Sequence, residues 1–203
     1  MDIFPTAYFG NVAYFQRLVA SNNILIEAKE HFVKQTLRTR CEILGPNGVQ
    51  TLSIPVVKVN GSKTAMDQLL IADDNWQKIH WKSIETAYAS TPYFDFYGQE
   101  IHELIHSSLT NLMDFNDQIT QRIGVWLDLD LELKRTTTFL ASENFNNDYR
   151  FDSFDVKEPL NFQHYTQVFR SKENCVKNLS ILDVLLNEGP LARKWILENL
   201  KTT

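Results

Sequence analysis

A four-residue turn between two alternating segments is the strongest structural signal in this 203-residue chain. Gly45-Pro46-Asn47-Gly48 combines the residue types that favour tight turns, and it separates residues 35–44 from residues 49–56. In the first segment Leu37, Cys41 and Ile43 fall on one face, and apolar residues alternate in the same way in the second. The pattern predicts a β-hairpin over residues 35–56.

Helical and strand periodicities on both sides of the hairpin give the predicted fold class. Helical spacing of apolar residues marks 12–20, 76–90, 98–112, a segment capped by Asn116, and two C-terminal helices that start at Ser180 and Pro190. Short β-type runs occur at 24–27, 66–72, 133–139 and 165–169. We predict an α+β fold, with a mainly antiparallel sheet built around the 35–56 hairpin and covered by the mid-chain and C-terminal helices. Residues 1–203 should form a single domain with a long loop at 141–162.

Charge and cysteine content exclude several classes of protein. The 25 acidic residues outnumber the 20 basic ones, for a net charge of -5, so we expect no nucleic-acid partner. Cys41 and Cys175 are far apart and match no metal-binding spacing, which argues against a disulfide framework and a zinc site. The sequence contains neither a signal-peptide pattern nor a long apolar run. A cytoplasmic protein without a transmembrane segment or a bound metal is therefore expected.

Three cations near the start of the hairpin form a candidate anion-binding surface. On an extended strand Arg38 and Arg40 would project from one face about 7 Å apart, and Lys34 lies just before them. Such a surface could bind a phosphate or a carboxylate. The alternative is a solvated strand face whose arginines pair with neighbouring glutamates.

Two histidines are candidates for proton transfer. His31 lies among charged residues and could act as a general base, although a histidine in that setting is more often a plain surface residue. His80 shares an apolar helix face with Trp76 and Ile84, so it should point inward and needs a polar partner. It is either a catalytic group or a core histidine bonded to the backbone.

Cys41 and Asp183 each have a functional and a structural interpretation. Cys41 could be a thiol nucleophile, but it falls on the apolar face of its strand, where cysteine packs as a small hydrophobe. Asp183 lies within an apolar run early in the helix capped by Ser180, so it is a partner for a buried cation or a satisfied structural acid. Motifs for dinucleotides, phosphate loops, zinc proteases and serine hydrolases are absent, and the sequence leaves any cofactor unknown.

One stretch resembles a known family. Residues 34–41 read Lys-Gln-Thr-Leu-Arg-Thr-Arg-Cys and resemble the Lys-Gln-Thr-Tyr-Arg-Asn-Arg-Cys signature of WbqC-like proteins from Bacteroidetes-type bacteria, with Leu37 and Thr39 as departures. Further stretches resemble that family in the same order: Ala7-Tyr8-Phe9, Ile26-Glu27, Glu30-His31, Leu52-Ser53-Ile54-Pro55, Ala87-Tyr88, Asp148-Tyr149-Arg150, Tyr165-Thr166-Gln167-Val168-Phe169 and Asn178-Leu179-Ser180-Ile181-Leu182-Asp183.

The resemblance implies a link to surface-polysaccharide genes, since the family is named from O-antigen clusters. It favours an enzyme that modifies, or transfers a group to, an activated anionic sugar. The alternative is a non-catalytic protein that binds an anion or a partner. The candidates for acid/base chemistry and its orientation are His80, His31, Asp183, Tyr88 and Glu27. The candidates for binding a small anionic substrate are Lys34, Arg38, Arg40, Arg150, Gln167 and Asn178.

Overall fold

The computed structural model describes residues 1–151, 165–170 and 174–200. Its strands are β1 (Asp2–Phe4), β2 (Ile24–Ile26), β3 (Arg40–Gly45), β4 (Gly48–Ser53), β5 (Val56–Val57), β6 (Leu70–Ile71), β7 (Lys134–Arg135) and β8 (Asn147–Asp148). Its helices are α1 (Val12–Ala20), α2 (Trp76–Tyr88), α3 (Phe94–Ile105), α4 (Leu112–Trp126), α5 (Ile181–Glu188) and α6 (Ala192–Leu200). None of the described helices is long and apolar enough to span a bilayer.

The central sheet is parallel, so the predicted mainly antiparallel α+β fold is wrong. Four strands run in the order β7-β2-β1-β8, and every neighbouring pair is parallel. Ile3 of β1 pairs with Leu25 on one side and Asp148 on the other. The two middle strands are almost entirely buried, which is typical of parallel sheets covered on both faces. The protein is therefore an α/β protein with small antiparallel hairpins attached.

The predicted hairpin is confirmed, but it stands apart from the central sheet. β3 and β4 pair from Arg40↔Ser53 to Gly45↔Gly48, and Cys41 and Ile43 face the core as expected. The strand begins only at Arg40. Arg38 consequently lies in the preceding turn, and the two arginines do not share a strand face.

The first crossover joins β1 to β2 through α1. Asn11 caps this helix as predicted, its side chain accepting from the amide of Tyr14 at 3.0 Å. Tyr14 and Phe15 are fully buried, and Tyr14 makes an edge contact with Phe4 of β1 at a ring separation of 5.9 Å. Aromatic packing thus fixes α1 against the sheet.

The remaining helices follow the predicted order with shifted ends. Helix α4 is capped by Asn111, which accepts from the amides of Met113 and Asp114, and the predicted cap Asn116 is a buried residue inside the helix. Ser180 caps α5 as predicted.

The expected long loop at 141–162 is only partly described, since residues 152–162 lie outside the described residues. Its described part contains β8, an outer strand of the parallel sheet, so this part is not a simple loop. A single domain for the whole chain stays a prediction.

Candidate functional site

Polar residues follow three strands where they end at the same edge of the parallel sheet. Glu27 comes directly after β2, Thr136 directly after β7, and Arg150 two residues after β8. In open α/β sheets ligands bind outside the carboxyl ends of the strands, where the strand order reverses. Here the chain order of the four strands reverses between β1 and β8. This edge is the candidate functional site.

Glu27 and Arg150 form a fully buried ion pair at the centre of this edge. Arg150 Nη1 donates to Glu27 Oε2 at 2.8 Å, and both side chains are wholly inaccessible to solvent. The other carboxylate oxygen of Glu27 accepts from the hydroxyl of Thr136 at 2.6 Å and from the amide of Lys29 at 2.7 Å. Glu27 thus ties the loop after β7 and the segment after β8 to the end of β2.

Asp148 accepts further hydrogen bonds from Arg150. Its two carboxylate oxygens accept from Nε and Nη2 of Arg150 at 2.9 and 2.6 Å, a bidentate pair. Burial alone would raise the pKa of Asp148, but the hydrogen bonds from Arg150 and Ser142 bring the pKa below its usual value. The carboxylate is therefore held in its charged form.

A second buried pair joins Arg38 to Glu30. Nε and Nη2 of Arg38 donate to the two carboxylate oxygens of Glu30 at 2.7 and 2.8 Å. Burial raises the pKa of Glu30, and the hydrogen bonds and charge of Arg38 oppose that rise. Arg38 Nη2 also donates to the backbone carbonyl of Arg150 at 3.0 Å, which links the two pairs. We call Glu27, Glu30, Arg38, Asp148 and Arg150 the edge cluster.

Three phenylalanine rings surround the guanidinium of Arg150. The distances from its Cζ to the ring centroids are 4.7 Å for Phe139, 5.3 Å for Phe145 and 5.4 Å for Phe151. Arginine stacks favourably on aromatic faces. The rings of Phe139 and Phe151 still expose 52% and 71% of their surface, so aromatic surface faces solvent beside a buried cation.

Three of the predicted site residues keep their polar groups uncommitted. His31 and Lys34 are exposed and Arg40 is half-buried. Within residues 1–151, 165–170 and 174–200, none of these three side chains forms an ion pair or a hydrogen bond. All three lie on the 27–40 segment, whose conformation the Arg38–Glu30 pair and its bond to residue 150 hold in place.

His80 lies inside the core, and its predicted inward orientation is confirmed. The hydroxyl of Tyr8 is 2.8 Å from His80 Nδ1, and the backbone of Ser53 provides a second hydrogen bond. Burial lowers the pKa of His80 to about 4, against a smaller opposing effect of the Ser53 bond. The imidazole is therefore neutral near pH 7. It is separate from the edge cluster and packs against Trp76 at a ring separation of 5.1 Å.

Asp183 belongs to a different buried group. It accepts short hydrogen bonds from the hydroxyl of Tyr165 and, at 2.7 Å, from the amide of Gln167. Tyr88 is a further hydrogen-bond partner. Burial raises the pKa of Asp183, while these hydrogen bonds act in the opposite direction. Tyr88, Gln167 and Asp183 thus bond to one another, and no cation of the described residues pairs with Asp183.

Asn178 accepts a hydrogen bond from the start of the first helix, α1. Its side-chain carbonyl accepts from the amide of Ala13 at 3.0 Å, and Leu179 O accepts from the amide of Val12 at 3.0 Å. Many nucleotide-binding α/β proteins hold a phosphate at the start of their first helix. In this protein the amides at the start of α1 are already bonded to the 178–179 segment, so an anion has no free donor there.

Sequence reasoning considered neighbouring glutamates as partners of the arginines only on a solvated strand face, and it missed Asp148 as a partner of Arg150. Glu30 and Asp148 lie in stretches that resemble the WbqC-like pattern, yet neither was a candidate residue. A parallel sheet would have indicated them, because it places the residues after β2 and β8 at one edge. Among the described residues, no group of three or more His, Cys, Asp or Glu side chains is arranged to hold a metal ion.

Comparison with known proteins decides the family. The sequence model of the WbqC-like protein family matches residues 6–155, well over half of the chain. The chain belongs to the WbqC-like family. The matched range contains the whole edge cluster and ends before Asp183. The Bacteroidetes-type origin stays a prediction.

A similar protein occurs in Mycobacterium tuberculosis. The chain is 22% identical over 213 residues to an uncharacterized protein of that bacterium, Rv1507c, and the alignment covers 90% of this chain and 91% of that protein. No solved structure matches the chain.

Proposed function

We propose that this WbqC-like protein binds an anionic sugar derivative at the carboxyl edge of its parallel sheet and transfers a group to it during surface-polysaccharide assembly. The observation that carries the proposal is the contrast within the 27–40 segment. Arg38 is committed to Glu30, whereas the cationic groups of Lys34 and Arg40 on either side of it have no partner in the part of the chain that the structure describes. A rigid turn with two uncommitted cations suits a phosphate or carboxylate.

Arg38 and Arg150 take a positioning role in this proposal. Both were predicted to bind substrate, but their N–H groups are engaged by carboxylates and backbone carbonyls. Releasing either arginine for a ligand would leave a buried carboxylate unpaired, at a cost of about 3–5 kcal/mol. The anion is therefore assigned to Lys34 and Arg40.

His31 is the group proposed to exchange a proton with the substrate. It is exposed and lies on the same segment as Lys34 and Arg40. The other predicted acid/base groups, His80, Asp183 and Glu27, are buried and bonded to protein partners.

A non-catalytic anion-binding protein is the second candidate, and the burial of those predicted catalytic groups favours it. In that case His31 would be dispensable. The cytoplasm is the proposed location, and the two free cysteines support it.

Ligand binding by variants tests the proposal. Nucleoside-diphosphate sugars, sugar 1-phosphates and acidic sugars would be added to the wild type, to the Lys34→Gln/Arg40→Gln double variant and to Lys78→Gln, which removes an exposed lysine on α2 as a control. At 100 times its Kd a ligand adds about 2.7 kcal/mol to the free energy of unfolding. We expect a thermal shift for the wild type and the control that the double variant loses.

The same set of compounds separates the two candidate functions. If His31→Gln binds the ligand normally but no longer converts it, the transferase is supported. If the wild type binds without any conversion in the presence of acyl and other group donors, the binding protein is supported. The absence of a shift with every anionic compound contradicts both.

A further inference from the structure

The exposed aromatic surface beside the edge cluster has no role in the function proposed above. Phe139 and Leu140 come from the loop after β7, and Phe151 follows β8. We call these three residues the aromatic patch. All three are exposed, with Leu140 at 37%. Exposed apolar groups that cluster rather than scatter mark binding surfaces.

The patch is built on a rigid base. The guanidinium of Arg150 lies within 5.4 Å of the ring centroids of Phe139 and Phe151. Its N–H groups donate to the carboxylates of Glu27 and Asp148. Arg150 Nη1 also donates to the carbonyl of Leu140 at 2.8 Å. One buried side chain thus holds the two segments that carry the aromatic rings and orients them towards solvent.

A hydrogen bond links the segment that carries the aromatic patch to the segment that carries the proposed anion site. Arg38 donates to the backbone carbonyl of Arg150, the residue that directly precedes Phe151. Arg38 in turn lies between Lys34 and Arg40 in the chain. The segment with Lys34 and Arg40, whose cationic groups have no partner among the described residues, is thus hydrogen-bonded to the segment with Phe151. A ligand that spans both segments would be anionic at one end and flat and apolar at the other.

We infer that the patch binds the base of a nucleoside-diphosphate sugar, so that the substrate of the proposed function is a nucleotide-activated sugar. Phenylalanine stacks on the face of any nucleobase. A sugar ring would need hydrogen-bond partners for its hydroxyl groups, and Phe139, Leu140 and Phe151 have none in their side chains. The diphosphate then reaches Lys34 and Arg40. This inference rests on the proposed function, because it assumes the anion site.

Calorimetric titration of the full chain tests the inference with defined probes. UDP, CDP, dTDP, GDP and ADP would be compared with inorganic pyrophosphate and with glucose 1-phosphate. Stacking on aromatic side chains strengthens binding of a base by about fivefold to a hundredfold. We expect at least one nucleoside diphosphate to bind more tightly than pyrophosphate by such a factor, and the Phe139→Ala/Phe151→Ala variant to lose that advantage.

Phe96→Ala is the matched control, since Phe96 is 69% exposed and belongs to α3, outside the segments that carry the edge cluster and the aromatic patch. It should bind the nucleotides like the wild type. Phe139→Leu/Phe151→Leu keeps an apolar surface without a ring face, and it should lose the advantage as well.

The outcomes separate this inference from the function on which it rests. Equal binding of nucleoside diphosphates and pyrophosphate contradicts the base site but not the anion site. Tighter binding of a nucleoside diphosphate that survives in the Phe139→Ala/Phe151→Ala variant has the same meaning. Binding of glucose 1-phosphate as tight as that of any nucleotide also contradicts the base site alone. If no probe binds, and no sugar compound shifts the melting temperature, the proposed function falls together with the inference.

Discussion

His80 is held neutral by its surroundings, and this makes the stability of the protein depend on pH. Its usual pKa is about 6.5, and burial lowers the pKa to about 4 in the folded protein. The unfolded chain binds the proton more readily than the folded protein, so protonation of His80 lowers the free energy of unfolding. The contribution of neutral His80 to the free energy of unfolding is fully present above pH 6.5 and is lost as the pH falls towards 4.

Urea unfolding between pH 7 and pH 4 checks this. The pKa difference corresponds to a loss on the order of 3 kcal/mol. The His80→Gln variant should lose less stability over this range than the wild type, whereas His31→Gln, which alters an exposed histidine, should follow the wild type. Parallel pH profiles for the wild type and His80→Gln would contradict the account.

Arg150 is the residue whose loss should disturb the edge cluster most. The Arg150→Met variant leaves Glu27 buried without a cation, which costs about 3–5 kcal/mol. Adding Glu27→Gln removes the unpaired charge, so the double variant should regain part of the loss.

The control is Arg193→Met. Arg193 pairs with Asp128 at 2.5 Å, but these side chains are 44% and 90% exposed, and such pairs contribute at most about 1 kcal/mol. Chemical denaturation of the four proteins gives the comparison. Equal destabilisation by Arg150→Met and Arg193→Met would show that the buried pair has no special role.

Gly189 ends α5 in a conformation that only glycine adopts easily. Its φ is 55°, and a Cβ there would lie 2.4 Å from Cε1 of Tyr93. Gly61 has a similar φ of 56° with no atom within 4 Å of an added Cβ. The two glycines therefore share a positive φ and differ in the contacts that an added Cβ would make.

Alanine at each position separates the two effects. Gly61→Ala should cost about 1–3 kcal/mol, the penalty for a residue with a side chain at a sparsely populated positive φ. Gly189→Ala should cost clearly more, because the Tyr93 ring must also move. Thermal unfolding measures both, and equal losses would mean that the close approach of Tyr93 to α5 is not maintained in solution.

The hairpin was predictable and the parallel sheet was not, for physical reasons that differ between elements. The hairpin has a turn sequence and two strands of six residues with clear alternation. The outer strands β7 and β8 have two polar residues each, Lys134-Arg135 and Asn147-Asp148, and so short a strand carries no periodic signal. Their pairing is set by tertiary contacts, which a single sequence does not contain.

The candidate site was predictable in part. Residues 34–41 stood out from the spacing of their cations, and Arg38 and Arg150 do meet. Pairing with a neighbouring glutamate was considered only for a solvated face, and Asp148 went unnoticed, because a carboxylate in a charged stretch looks like a solvated residue. His80 and Asp183 were expected near the cations, but helix α2 and helix α5 place them in separate buried groups.

Across the whole molecule, the loops that leave the carboxyl ends of the parallel strands converge on one surface. The 27–40 segment provides the free polar groups, residues 136–151 provide the aromatic patch, and the edge cluster connects the two. Open grooves elsewhere offer alternative sites, such as the one between α2 and the hairpin lined by Gln50, Lys78 and Lys82. The position of the ligand thus distinguishes this account from its alternatives.

Mapping that position by NMR tests the central claim most directly. A nucleoside-diphosphate sugar that gives a thermal shift would be titrated into isotope-labelled protein while the backbone amide signals are followed. The account predicts that the largest changes fall within residues 27–40 and 136–151, and that the Lys34→Gln/Arg40→Gln variant loses them. Changes centred on the α2 groove, with the sheet edge unaffected, would contradict it.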